Sequence, residues 1–408
     1  MGDMLFLAHC VPFATGNGDE SRGFHVLKHL AARKRIHLIA FADDPGDLKR
    51  KQALTSLTAS RSIIWRPKPG LGTLLRAFVT GRPAHLAALD DALMRQTVKQ
   101  ALGQRAIDTV YLLSSGMAQY LPQRAQHRVM IDLIEPASTR SQAVARTGAG
   151  PARLWAAREA RLLRRHERMV IRRADASLVA SDGDALTLRD DADGRVRVLE
   201  NGIDTDHYDP KAAYRQLEPT GILIVFAGQA GGERDIAAAS RFADTVLPHI
   251  RARYPDARLA ILGRTLSKAA TALARRHDGV MVVGEVVDRR PWLAAASVVV
   301  GPEIVAGSLR NGLLEAMAMG RPVVASRATS DQIDHAGTIR TADSVGEFAD
   351  EVLWALAHPA EAAELGEAAR KRVTWRYHWE SCLGALDPLL RWQPRDAAAS
   401  DAGNAAHG

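Results

Sequence analysis

The sequence predicts an α/β protein made of two doubly wound halves, each a parallel sheet covered by helices. Three observations carry that prediction. At 408 residues the chain exceeds the size at which one core keeps growing, so two domains are expected. Hydrophobic residues make up 47% and charged residues 25%, a balance that supplies enough apolar surface for both cores. Short apolar runs alternate with helical stretches in each half, which is the rhythm of parallel strands joined by crossover helices.

In the first half, Met4 to Ala8 reads as a strand, Pro12 to Ser21 as a loop and Arg22 to about Arg33 as a helix, followed by a strand from Ile36 to Phe41. Thr109 to Leu113 and Val129 to Leu133 repeat the pattern, and Ala176 to Ala180 and Val196 to Leu199 close it. Glu200 to Gly221 is rich in turn formers and charge and reads as a linker. The second half restarts with Ile222 to Phe226, Arg258 to Leu262, Val280 to Val283, Ser297 to Val300 and Pro322 to Ala325. Pro359 to Arg372 is rich in alanine and glutamate and predicts a helix, Arg376 to Trp392 predicts another with one apolar face, and Arg395 to Gly408 is a low-complexity tail expected to be disordered. No solenoid-type repeat is present.

Composition narrows the function. Cys10 and Cys382 lie far apart and pair with no histidine at ligand spacing, so neither a zinc site nor a disulfide framework is signalled and a reducing compartment is expected. The start carries Asp3 and too short an apolar run for a signal peptide, and no run has the length of a membrane span, so the expected location is the cytoplasm. A net charge of +8 favours acidic partners. The excess concentrates from Arg153 to Arg173, where Trp155, Leu162 and Met169 recur seven apart among arginines. Such a basic amphipathic helix either packs its stripe on its own domain or lies on an anionic membrane surface. Nucleic acid is not expected, because aromatics are only 5% and none interleave with the basic run as a stacking platform.

Asn311 to Ser326, NGLLEAMAMGRPVVAS, is the most informative stretch. Leu313, Leu314, Met317 and Ala318 form the apolar face of a helix, Gly320 stops it, and Val323 to Ala325 returns the chain to the sheet. Glu315 then stands one turn inside a helix that follows a strand, where open α/β sheets bind nucleotides. A carboxylate there can accept from both hydroxyls of a ribose, or it can simply complement the helix dipole. Two glycine-bearing loops follow first strands, Gly16 to Arg22 with Gly18, and Phe226 to Asp235 with Gly228. The first lacks the third glycine of a dinucleotide fingerprint, which is Ser21 here, and that argues against a nicotinamide enzyme. In the second, Arg234 is a candidate to neutralise charge building on a leaving phosphate, or an ordinary surface arginine.

Taken in order, Gly16 to Arg22, VLENGIDTDHYDP at Val198 to Pro210, the strand end at Phe226, LAILGR at Leu259 to Arg264, Leu313 to Ser326 and RYHWE at Arg376 to Glu380 resemble the retaining glycosyltransferases of the GT-B fold. Within that group the chain is most similar to the sugar transferases associated with the exosortase/PEP-CTERM system, through Gly18 to Ala32, His37 to Asp47 and Arg241 to Pro248. The resemblance implies two Rossmann-like domains facing a cleft. The acceptor domain would span residues 1–210 and the nucleotide-sugar donor domain 211–372. A helix at 373–393 would cross back, with a tail at 394–408. It implies donor contacts from Gly228, from the first-loop glycines Gly16 and Gly18, and from Glu315 on the ribose; Ser308 and Asn311 are further donor-side candidates, Arg234, Arg264 or Arg310 are candidates to replace charges that the family pattern has and this chain lacks, and Asp19, Arg22, Asp132 and Glu135 are acceptor-side candidates. The donor is a nucleotide diphosphate sugar, the acceptor a saccharide or a lipid-linked one, and neither a metal nor a cofactor is expected. Several charges of the family pattern are missing: Gly307 stands for a glutamate, Gln229 and Glu233-Arg234 for a basic pair, Gly312 for a lysine and Glu20 for another lysine, while Asp132 to Ser138 replaces an aspartate-rich stretch. Two further readings stay open, a non-catalytic scaffold on the same fold and a nucleotide-sugar epimerase.

Overall fold

The computed structural model describes residues 2–14, 18–49, 52, 54–67, 70–122, 127–147, 149–188, 195–228, 230–231, 233–263, 266–284, 286–302 and 308–390. The chain forms two compact units, one of residues 1–201 together with Cys382 onward, the other Gly202–Ser381. The divisions thus fall at 201/202 and 381/382, away from the expected 210/211 and 372/373. The reason is local: buried Ile203 donates its N–H to the Tyr377 carbonyl at 2.7 Å, and the Thr205 hydroxyl meets His378 Nδ1 at 2.6 Å. Chain on both sides of the expected boundaries is therefore tied into the second unit.

The first unit is built on strands β1 (Asp3–Ala8), β2 (Ile36–Ala42), β3 (Ser60–Trp65), β4 (Ile107–Leu113), β5 (Arg128–Ile134), β6 (Ala176–Val179) and β7 (Val196–Val198), in the order β3-β2-β1-β4-β5-β6-β7. All six pairings are parallel. Helices cover the faces, so Met4, Leu5, Phe6 and Leu7 are all buried although successive side chains point to opposite faces. β3 was not foreseen: SRSIIW carries polar residues at half-exposed positions, because it is an edge strand. The first helix is Gly18–Ala31, one turn earlier than expected, which places Gly18, Asp19 and Glu20 on helix rather than in the loop.

The second unit carries β8 (Leu223–Phe226), β9 (Arg258–Leu262), β10 (Val280–Val283), β11 (Val298–Gly301), β12 (Val323–Ser326) and β13 (Arg340–Ala342), in the order β10-β9-β8-β11-β12-β13, all parallel. The three-residue β13 also escaped the sequence reading. The helix Ser308–Ala318 follows β11, and Gly320 ends its turn at φ 64°, a conformation that favours glycine.

Two helical expectations change. The arginine-rich helix Gly150–Arg173 buries Ala156, Glu159, Leu163, Glu167, Val170 and Ile171, whereas Trp155 and Leu162 are half-buried and Met169 exposed. The seven-residue stripe therefore flanks the buried face instead of forming it. Two carboxylates can lie on that face because they accept backbone N–H groups, Glu159 from Ala84 at 2.7 Å and Glu167 from Ser138 at 3.1 Å. The single helix expected over Arg376–Trp392 is broken: Pro359–Tyr377 ends at His378, whose extended backbone bridges to Ile203, and short helical turns at Trp379–Leu383, Gly384–Leu386 and Asp387–Leu390 follow. Asp387 belongs to the first unit, where it pairs with His29 of the first helix at 2.8 Å. The expected tail, residues 394–408, lies outside the described residues.

Candidate functional site

In each sheet the strand order reverses once, between β1 and β4 in the first and between β8 and β11 in the second. Loops leaving adjacent strands diverge there and open a crevice at their carboxyl ends. Among the described candidates, Asp19 and Glu135 lie at the first of these points, and Gly228, Asn311 and Glu315 at the second.

In the first unit, His9 follows β1, Ser114 follows β4 and Ile134 ends β5; with Asp19, His85, Glu135 and Arg140 they line a cavity of about 40 Å³. Arg22 and Asp132, expected on the acceptor side, do not reach it. Both are 0% exposed, joined by Nε to Oδ2 at 2.8 Å and Nη2 to Oδ1 at 3.0 Å. The remaining Arg22 nitrogen, Nη1, donates to the Leu199 carbonyl and to Asn201 Oδ1, both at 2.7 Å, and the Tyr111 hydroxyl donates to Asp132 Oδ2 at 2.8 Å. A buried pair this fully satisfied positions the backbone instead of meeting a ligand. Asp132 holds both sides of the cavity: its carboxylate accepts the Ile134 N–H at 3.1 Å and its carbonyl accepts the Ser114 N–H at 2.8 Å. Those two residues have φ 60° and 89°. A β-branched isoleucine in that region is a strained backbone, of the kind that persists where surrounding bonds over-determine it.

The cavity's titrating groups are driven apart. His9 Nε2 meets Asp19 Oδ2 at 3.2 Å and its Nδ1 meets the Leu113 carbonyl at 3.1 Å. Burial disfavours the charged imidazole, but Cys10 and Asp19 outweigh it and hold the His9 pKa well above its ordinary value. Burial likewise opposes ionisation of Asp19, yet His9, Arg140 and Arg22 keep its pKa below the usual range. His85 is pushed down to about 4 by burial, then by repulsion from His9 and Arg140. The cavity thus holds two imidazoles whose pKa values are displaced in opposite directions.

Between about 4 and its unfolded value near 6.5, His85 binds a proton only when the protein unfolds, so its contribution is lost as pH falls through that window. His85→Gln is expected to flatten the acid limb of thermal stability between about pH 4 and 6.5, by no more than about 3 kcal/mol. Melting curves across that range check it, and an unchanged acid limb would refute the neutral assignment.

In the second unit, the helix Ser308–Ala318 starts after β11 and carries Asn311 and Glu315 four residues apart on one face. Gly312 faces the end of β8: a Cβ there would sit 1.8 Å from the Ala227 carbonyl oxygen. The absent lysine side chain at this position thus has a steric reason, because the helix approaches the strand too closely for any residue but glycine. Gly228 is buried beside Phe226 and Asp235. Glu315 is not alone. Arg289 Nη1 donates to Glu315 Oε2 at 2.7 Å, with each side chain 14% exposed, and Arg289 Nη2 reaches the Ala227 carbonyl at 3.2 Å and that of Gly228 at 3.5 Å. The hydroxyl of half-buried Tyr208 also bonds Glu315, and desolvation, then the Glu315 charge, raises its pKa well above the ordinary value.

Arg289 and Tyr208 escaped the sequence reading. The one available signal was the charge-dense turn Asp288-Arg289-Arg290-Pro291 between a strand and a helix. Of the cations considered from sequence, Arg234 stands exposed in the first turn of the helix Glu233–Thr245, and Arg310 is occupied by the Tyr377 ring at 5.4 Å and the Gln332 carbonyl at 3.3 Å. Gly18 opens the first helix and is exposed. Gly16, Gln229, Arg264 and Gly307 lie outside the described residues, as does the side chain of Ser308. Among the described residues, no group of three or more His, Cys, Asp or Glu is placed to hold a metal ion, and no helix is long and apolar enough to cross a membrane.

Comparison with known proteins bears on both units. Residues 221–358 match the family described as glycosyl transferases group 1. A phosphatidyl-myo-inositol mannosyltransferase of Propionibacterium freudenreichii subsp. shermanii is 28% identical, over 52% of this chain and 54% of its own. An alpha-maltose-1-phosphate synthase of Mycolicibacterium smegmatis is 30% identical, over 52% of this chain and 62% of its own. The chain therefore spans less than two thirds of the length of these curated relatives. Among solved structures, Anabaena Alr3699/HepE in complex with UDP and glucose superposes with a TM-score of 0.64 at 14% identity, over 96% of this chain and all of that one (100%). WaaG, a glycosyltransferase involved in lipopolysaccharide biosynthesis, gives 0.64 at 15% identity, over 95% and 100%. At such identities the likeness establishes the fold: two parallel-sheet Rossmann-like units, as in GT-B glycosyltransferases.

Proposed function

From a glycosyl transferases group 1 match over residues 221–358, on a GT-B fold, we propose that this protein moves a sugar from a nucleotide-sugar donor to a saccharide or lipid-linked acceptor. The observation that carries the reading is the place of Glu315. It sits two turns into the helix that leaves β11 at the switch point, half-buried, with the β8 end beside it. Its carboxylate is suited to the ribose diol, and the start of its helix to the diphosphate. Charge growing on the leaving diphosphate is met there by oriented backbone N–H groups, with Arg234 as a further candidate. In this reading the acceptor belongs to the first unit, on the side of Asp19 and Glu135, through the resemblance. Retention at the anomeric carbon, and a role in exopolysaccharide assembly with the exosortase/PEP-CTERM system, belong to this proposal through the resemblance.

A scaffold without catalysis is the second reading, favoured by the charges of the family pattern that this chain lacks, with Gly307 in place of a glutamate and Gln229 in place of an arginine. An epimerase is the third, and it requires no acceptor. HepE structures hold UDP and UDP-glucose, so uridine diphosphate is the first nucleotide to test. Calorimetric titration with UDP, GDP and ADP is expected to show one saturable partner, and failure of all three would remove the donor site.

A lipid-borne acceptor requires access to the cytoplasmic membrane face, and the first unit offers a surface for it. A groove of about 710 Å³ between Ala137–Thr147 and the arginine-rich helix is lined by Arg146, Arg153, Arg161, Arg164, Arg165 and Arg168. Beside it, Leu154 is exposed on the same helix, and the helix Leu71–Val79 exposes Leu75, Phe78 and Val79. The Phe78 ring stacks on Trp155 at 6.3 Å, which joins the two helices into one surface. Arginines over lipid phosphates with apolar residues entering the headgroup layer are the two halves of interfacial binding. Anionic vesicles are expected to retain the protein at low salt and release it as salt rises. Reversal of Arg161 and Arg165, or Ser at Leu75 and Phe78, should abolish sedimentation with them, and variants that behave like wild type would refute the surface.

A further inference from the structure

We infer that Arg289 is the positioning residue of the donor site: with Tyr208 it locks the Glu315 carboxylate and neutralises it, and so sets the preference for a ribose over a 2′-deoxyribose. The inference rests on the reading that Glu315 holds the donor ribose and goes beyond it in naming what makes that contact selective.

The geometry is specific. A glutamate side chain at a helix surface has three rotatable bonds, and a free carboxylate would sample several orientations before meeting a diol. Here the Arg289 guanidinium is spread between two elements. Nη1 holds Glu315 Oε2 at 2.7 Å, while Nη2 is anchored on the carbonyls of Ala227 and Gly228 that end β8. Tyr208 adds a second donor to the same carboxylate from a different segment. Gly312 permits the arrangement, since a Cβ only 1.8 Å from the Ala227 oxygen would push the helix off the strand and lengthen the span Arg289 must bridge. An ionised carboxylate has about four lone-pair sites, so two donors leave room for both hydroxyls of a ribose.

Electrostatics points the same way. A bare carboxylate at a diphosphate site repels the ligand. Paired with Arg289, Glu315 keeps its acceptor sites while the pair carries no net charge. Arg289 thereby removes that repulsion at the β8 end of a chain in which the family's basic pair is absent. Lysine offers a point charge without the planar fork, so it can neutralise Glu315 but loses the fixed geometry that ties the carboxylate to the two carbonyls.

The test measures affinity for UDP, GDP and ADP and for their 2′-deoxy counterparts, in wild type, Arg289→Met, Arg289→Lys and Tyr208→Phe, with melting curves for each. Wild type is expected to favour the ribonucleotide that binds by about tenfold or more, the scale of one hydrogen bond to a charged group. Arg289→Met should weaken both ligands and shrink the ratio to about twofold. Arg289→Lys should recover affinity for both ligands but only part of the ratio, and Tyr208→Phe should lower the ratio with little loss for the deoxy ligand. A ratio unchanged in a folded Arg289→Met protein overturns the inference while leaving the donor site in place. No nucleotide binding by wild type overturns the donor reading itself, and the inference with it. Should Arg289→Met fail to fold, the Arg289→Lys and Tyr208→Phe ratios decide.

Discussion

Glu315→Gln is expected to lower nucleoside diphosphate affinity by about 10- to 100-fold, because a charged acceptor contributes about 1.5–3 kcal/mol to a hydrogen bond and 1.4 kcal/mol is tenfold in binding. The substitution keeps the shape of the side chain and exchanges one acceptor oxygen for an N–H₂ donor, which cannot accept from a ribose hydroxyl. It also leaves Arg289 facing a neutral partner, so the β8 end gains an unbalanced cation. The fold should survive. Both side chains are 14% exposed, and the Ala227 and Gly228 carbonyls still receive the guanidinium. Calorimetry beside a melting curve separates the effects, and unchanged affinity in a protein of unchanged stability would take Glu315 out of the site.

Arg22→Met is expected to cost about 3–5 kcal/mol, the price of leaving one charge of a buried pair uncompensated. Asp132 would keep the Tyr111 hydroxyl and the Ile134 N–H, lose both guanidinium bonds and remain 0% exposed. For a unit of this size a loss of that scale lowers the melting midpoint by on the order of 10 °C. The damage should extend past stability, because Asp132 also holds Ser114 and Ile134 in their left-handed conformations. Differential scanning calorimetry gives the first quantity. A midpoint within about 2 °C of wild type would contradict the structural role assigned to the pair.

The fold was legible wherever strands lie buried on both faces, since Met4 to Ala8 or Val298 to Val300 can be read as uninterrupted apolar runs. Edge strands were not. Ser60–Trp65 and Arg340–Ala342 carry the polar residues an edge tolerates, and they look like loop. The site divides in the same way. Glu315 was readable because a helix period, a glycine stop and a following strand fix its position along one local stretch. Arg22 and Asp132 were singled out separately, but the bond that ties them together was not readable, since a contact between residues 110 positions apart leaves no local trace. Arg289 was missed for the same reason, being 26 residues from its partner. Gly312 looked like a lost lysine, and only the close approach of helix to strand shows why no side chain stands there.

The central claim is transfer of a sugar, and the direct measurement is the fate of a labelled one. Wild type and Glu315→Gln are incubated with nucleotide sugars carrying label in the sugar, beginning with UDP-glucose, in the presence of a lipid-linked saccharide extract. Label is expected to pass into the acceptor with wild type, with release of one nucleoside diphosphate per sugar moved, and to pass far more slowly with the variant. Label that stays on the nucleotide across the whole donor panel, while nucleotide binding persists, would contradict transfer and leave the scaffold; a changed sugar epimer without acceptor labelling would leave the epimerase.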